Sequence, residues 1–262
     1  MASVRHCASL LQRASPMSAR MRASSAASSA GPAGATGWAW QALTSSSTGL
    51  YVATTGSIGA MTNSGTIGGN QFGVNNRGRI GTMTNSGRIT NANFTALWNQ
   101  GSIGQLVNTG TITNSSWAIL NSGTLSTLTN SGVISGSGNA IQNNAAMTLI
   151  DNSGTMSGGS NAMAGTFGTI INSGVIKGNI NAYGGLVGTI IGGSNGTVGT
   201  FTGYSGSAQG TIGASGNINF ASGALLLNDT IKAVGISASA LIVSNTGANI
   251  TLSTIVNLTG NF

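Results

Sequence analysis

Acid is nearly missing from this chain of 262 residues: it has two aspartates, Asp151 and Asp229, and no glutamate. Glycoside cleavage usually needs two carboxyl groups within about 10 Å of each other, and two acids far apart in sequence do not make that pair. Histidine and cysteine occur once each, at His6 and Cys7. A single cysteine excludes an intrachain disulfide. Two adjacent side chains without further ligands do not build a metal site, and one histidine near the N-terminus does not make a Ser–His pair. No apolar run reaches the roughly 20 residues that span a bilayer as a helix. Basic residues are also few. Four of the nine lie in the first 22 positions, and Arg77, Arg79, Arg88, Lys177 and Lys232 are scattered over the rest. Nucleic-acid binding needs such charges clustered on one face. The sequence therefore predicts no catalytic residue, no cofactor, no metal and no nucleic-acid partner.

What is abundant is glycine, with 43 residues, together with serine, threonine and asparagine, set against a hydrophobic share of 40%. Such a composition folds only if its apolar residues are patterned. They are. IGAMTNSGTIG at 58–68, IGTMTNSGRIT at 80–90 and IGQLVNTGTIT at 103–113 are versions of one phrase. Its asparagine recurs at Asn63, Asn85, Asn108, Asn130, Asn152 and Asn172, in steps of 22, 23, 22, 22 and 20. A weaker phrase places Asn76, Asn99, Asn121 and Asn143 nine residues before the next main asparagine. Short β-branched words interrupted by glycine read as strands, and no segment has helical periodicity. A period of about 22 residues built from strands predicts stacked coils of a parallel β-helix.

Stacking brings equivalent positions about 4.8 Å apart. The column Met61, Met83, Leu106, Leu128, Ile150, Ile170, Ile190 is apolar throughout, as is Ile67, Ile89, Ile112, Ile134, Met156, Ile176. Both are assigned inward. The columns Ser64, Ser86, Thr109, Ser131, Ser153, Ser173 and Arg77, Gln100, Ser122, Asn144 are assigned outward. Gly65, Gly87, Gly110, Gly132, Gly154 and Gly174 are read as corners needing a positive φ. The asparagine columns are read as structural ladders, because an amide both donates and accepts. By strand parity Trp117 points inward and Trp98 outward, which makes Trp98 a candidate surface contact, with the loops around Asn91–Phe94 and Gly136–Gly138 as the alternatives. Asp151 falls in an outward, solvated column.

Residues 1–48 are rich in Arg, Ala and Ser, and read as a disordered or misassigned leader. Residues 49–262 form the predicted solenoid of about ten coils, regular over 56–191 and degenerate over 192–262. The strand-like text running to Phe262 leads to the expectation that the gene product continues beyond it.

The words NSGTI, NSGRI, NTGTI and NSGVI, the segment LLLNDTI and the terminal ITLSTIVNLTGNF resemble passenger domains of bacterial autotransporters. The resemblance covers about residues 50–262. It implies a β-helix exported to the cell surface or medium, an adhesive or structural role linked to virulence, and a protein or glycan partner on a host or neighbouring cell. It further implies an outer-membrane barrel downstream and a signal upstream. Neither is recognisable here, so the chain reads as a passenger fragment. The expectation is a non-enzymatic surface module; a polysaccharide-acting enzyme on the same scaffold is the alternative.

Overall fold

A computed structural model describes residues 20–23, 38–45, 47–145, 147–182, 187–204, 209–215, 217–233 and 243–252, with 20–23, 38–45, 187, 233, 243 and 244 as backbone only. The chain is an all-β parallel solenoid, with no helix among the described residues. Each coil contributes strands to three faces. The main word holds two strands, bent at its NSG corner. Face A carries Arg79–Asn85, Ser102–Asn108, Thr124–Asn130, Met147–Asn152, Phe167–Asn172 and Val187–Ile191. Face B carries Arg88–Asn91, Thr111–Asn114, Val133–Gly136, Gly199–Thr202 and Ala248–Leu252, with parts of longer strands between them. Face C carries Thr48–Val52, Phe72–Asn76, Thr95–Asn99, Trp117–Asn121, Asn139–Asn143, Thr211–Ala214 and Thr230–Ala233.

Three apolar columns fill the interior. Met61 pairs with Met83, and the column continues through Leu106, Leu128, Ile150, Ile170 and Ile190 to Phe220. On face B, Ile67 leads through Ile89, Ile112, Ile134, Met156 and Ile176 to Phe201 and Leu227. A third column on face C runs from Leu50 through Val74, Leu97, Ile119, Ile141, Met163, Ile180 and Ile212 to Ile231. All of these side chains are buried. Each full burial contributes about 1.5–3 kcal/mol, so stacked columns supply the stability that no single coil has.

The corner glycines are explained differently from the expectation. Among the described residues, positive-φ glycines are Gly165, Gly178, Gly196 and Gly223, none of which belongs to the Gly65–Gly174 series. The series is glycine because coils meet there backbone to backbone: a Cβ on Gly87 would stand 2.0 Å from the Gly65 carbonyl oxygen, and one on Gly110 2.1 Å from that of Gly87.

The coil count also differs. Successive face-A strands start at Ser57, Arg79, Ser102, Thr124, Met147, Phe167, Val187, Ile218 and Val243, which makes about eight turns rather than ten. At one strand spacing per turn they span about 38 Å. Late coils are longer: Ile190 pairs with Phe220, 30 residues on, and Ile218 with Val243, 25 residues on. The predicted leader lies mostly outside the described residues. Within it, the backbone of Trp38–Ser45 pairs with Ser57–Gly69, so solenoid pairing reaches back before residue 49. The final ten residues, 253–262, also lie outside the described set.

Candidate binding surface and buried polar groups

The two asparagine columns fold inward at corners of the coil, because Asn63 follows Met61, and Asn76 follows Val74, with the same strand parity. In the first ladder each Nδ2 donates to the Oδ1 of the next coil: Asn63 to Asn85, Asn85 to Asn108 and Asn108 to Asn130 at 2.7 Å, then Asn130 to Asn152 and Asn152 to Asn172 at 2.8 Å. All six are fully buried. The second ladder runs from Asn76 to Asn99 at 2.8 Å, then to Asn121 and Asn143 at 2.7 Å each. Most of these amides also reach a backbone carbonyl across the corner, as Asn108 does to Val133 at 3.2 Å. Head-to-tail amides polarise one another, and a satisfied buried amide avoids a desolvation penalty of about 1–3 kcal/mol. Asn76 opens its ladder among the described residues, and its Oδ1 is buried with no partner among them.

Outside the barrel of ladders, four aromatic rings collect at the edge of face C. Trp98 stands in the outward column Tyr51, Asn75, Trp98, Leu120, Gln142. Phe72 and Trp117 occupy the column that begins the face-C strands, with the small, buried Thr95 between them. Thr95 turns its hydroxyl to the backbone, donating to the Trp117 carbonyl at 2.8 Å. Phe94, on the bend just before it, is the hub: its ring lies 5.5 Å from Phe72, 5.9 Å from Trp98 and 5.7 Å from Trp117, each edge-on. Phe72 and Trp98 are 5.1 Å apart and tilted. Phe94 is 39% exposed and the other three are half-buried. The strand parity that placed Trp98 outward holds, and its indole Nε1 donates to Ser122 Oγ at 3.3 Å. Trp117 departs from its expected inward position. It sits at the corner, where alternation has only begun, and packs against Phe94.

Amides rim the rings. Asn93 Nδ2 donates to Asn70 Oδ1 at 2.7 Å, Asn91 Nδ2 to the Gln71 carbonyl, and Gln100 Nε2 to Asn75 Oδ1 at 2.9 Å. No charged side chain takes part in these contacts. Sequence reasoning found Trp98 and the loop around Asn91–Phe94, but not that Phe72 and Trp117 join them. Phe72, Phe94 and Trp117 lie two coils apart at most, and only the register brings them together.

The two acids differ. Asp151 is half-buried on the outward side of face A, between Thr129 and Ile171. Asp229 is fully buried. Its Oδ1 accepts the Gly210 N–H at 2.9 Å, and its Oδ2 has no partner among the described residues. Burial pushes its carboxyl up to about 7, against a smaller opposing pull from the Gly210 N–H. The signal was present in the sequence: Leu225, Leu227, Asp229 and Ile231 share one parity, so LLLNDTI turns the aspartate inward. Among the described residues no group of three potential metal ligands exists, and no helix is long and apolar enough to cross a membrane. Compared with protein-family models, characterised proteins and solved structures, the chain gives no match.

Proposed function

We propose that this chain is an adhesive rod that engages neutral glycans through the Phe72–Phe94–Trp98–Trp117 cluster, displayed at a cell surface or secreted. The supporting observation is the cluster itself: four rings gathered on the outside of a solenoid whose aromatic content is only 5%. Aromatic side chains offer large rigid surfaces at small entropic cost, and an exposed group of them marks an interaction site. A sugar ring presents an apolar C–H face to such a platform, and its hydroxyls suit the surrounding amides of Asn70, Asn75, Asn93 and Gln100. None of the rings or rimming amides is charged, which favours a neutral ligand. The NxGxI words, now seen as stacked coils, support the likeness to autotransporter passengers, from which the surface location is inferred.

Binding is favoured over polysaccharide cleavage by the placement of the acids. Asp151 and Asp229 are separated by three strand spacings, about 14 Å, along the rod. That exceeds the roughly 5–10 Å that glycoside hydrolysis uses, and Asp229 is closed off from solvent. The test is a panel of neutral oligosaccharides titrated against the purified chain. Saturable binding is expected, lost in Phe94→Ala and Trp98→Ala variants whose thermal unfolding is unchanged. A panel with no binder, binding that survives both substitutions, or turnover of any panel member would overturn the proposal.

A further inference from the structure

Asparagine is the commonest buried polar residue of this rod, and one asparagine is placed in the opposite situation. Asn195–Gly196 is the only Asn–Gly step in the sequence. It lies in the loop between Val187–Ile191 and Gly199–Thr202, where residues 194–198 are all exposed. Asn195 has a φ of 53° and Gly196 one of 83°, a turn closed by Thr197 N–H donating to the Ser194 carbonyl at 3.1 Å. The Asn195 side-chain amide has no hydrogen-bond partner among the described residues. A Cβ built on Gly196 would meet nothing within 4 Å, so the backbone around its nitrogen is open. The ladder asparagines, several followed by serine, have their amides held at 2.7–2.8 Å in the dry interior.

From this contrast we infer that Asn195 is a spontaneous modification site, where the chain converts an asparagine to aspartate and isoaspartate without an enzyme. The Gly196 backbone nitrogen loses its proton and attacks Asn195 Cγ, forming a C–N bond. The Cγ–Nδ2 bond breaks and ammonia leaves, giving a five-membered succinimide. Water then opens either carbonyl. One opening restores the normal backbone with an aspartate; the other routes the chain through the former side chain and adds a methylene to the backbone. Glycine permits the attack because no Cβ shields its nitrogen. Both products add one negative charge to a chain of formal net charge +7. The isoaspartyl form lengthens a loop that is pinned to the next coil: Gly192 N–H donates to the Ser222 carbonyl at 2.7 Å, and Gly193 and Ala224 exchange bonds at 2.9 and 2.8 Å. Conversion therefore acts where the rod is held across its longest coil.

The experiment uses the full chain, incubated folded at mildly alkaline pH. Cleavage after Lys177 and Lys232 releases residues 178–232 with Asn195 inside, and fragment masses locate any exchange of NH₂ for OH. Conversion is expected at Asn195, in two chromatographically distinct products, faster as pH rises. The ladder asparagines react only from opened states, so they should convert more than about tenfold slower. Asn195→Gln should remove the modification, and Gly196→Ala should slow it strongly. An unchanged Asn195, or ladder asparagines converting at the same rate in the folded chain, would overturn the inference.

Discussion

The coils between Ser57 and Ala182 and those after Val187 are made from the same kinds of strand, yet they obey different rules. In the first region paired positions on face A lie 20–23 residues apart, and most coils present an asparagine at the same corner. In the second the face-A steps grow to 30 and 25 and the first ladder has ended at Asn172, while register shifts occur in both regions, between Ser157 and Met163 as well as between Ile190 and Ile191. Phenylalanines are buried in the late interior at Phe201 and Phe220, as Phe167 is in the regular region, and Asp229 is buried there with its Oδ2 lacking a partner among the described residues. A ladder ties each coil to its neighbour at one corner, and the chain between corners absorbs small changes of length: the bond from Asn85 to Asn108 spans 23 residues at 2.7 Å and that from Asn152 to Asn172 spans 20 at 2.8 Å. Once the ladder stops, a coil can lengthen and the interior needs only volume. Alignment of the corners is thus a consequence of the polar ladder, while continuity of the solenoid is a consequence of the apolar columns.

The sharpest way to break the comparison is Asn108→Ala, in mid-ladder. It leaves Asn85 without its amide acceptor and Asn130 without its amide donor, at about 1–3 kcal/mol each. A loss of about 2–6 kcal/mol in urea unfolding is expected. Asn228→Ala, in the late coils, should lose less than about 1 kcal/mol, since its Oδ1 has no partner and its Nδ2 reaches Thr202 only at 3.5 Å.

Asp229 gives the next largest effect, and it is pH-dependent. The folded chain holds the carboxyl up to about 7, above its ordinary value of 3.8. The folded state therefore binds more protons than the unfolded one between those values. Stability is highest below about pH 4, falls as pH rises through about 7, and is flat above, by at most about 4 kcal/mol. Asp229→Asn should flatten that part of the profile, as read from melting temperature against pH. A wild-type profile that rises from pH 4 to 7, or an unchanged slope in the variant, would contradict the placement.

Gly110→Ala follows, with a loss of about 1–3 kcal/mol from overpacking, because its Cβ would press on the Gly87 carbonyl oxygen at 2.1 Å. Gly196→Ala has open space and only a positive φ to resist it, so about 1 kcal/mol is expected. Equal losses at the two glycines would mean that conformation, and not coil-to-coil contact, selects glycine at the regular corners.

Much of the regular region was legible because the same residue returns at nearly constant spacing, and parallel stacking converts that spacing directly into contact. Met61, Met83 and Leu106, or Asn63, Asn85 and Asn108, needed only their period and parity to be placed. The late coils were harder to read: without a constant step, the pairing of Ile190 with Phe220 has no counterpart in sequence. Asp229 was readable from the parity of LLLNDTI, but the absence of a cation partner for it among the described residues was not.

The sequence by itself determined the repeat, the strands, the inward columns and the outward position of Trp98, since each follows from local alternation and a fixed period. Only the tertiary structure decided that a coil has three faces, that corner glycines answer to the coil above, and that Phe72, Phe94 and Trp117 join Trp98. Those facts depend on where backbone and rings meet across coils, in distances of a few ångströms that a one-dimensional pattern does not contain.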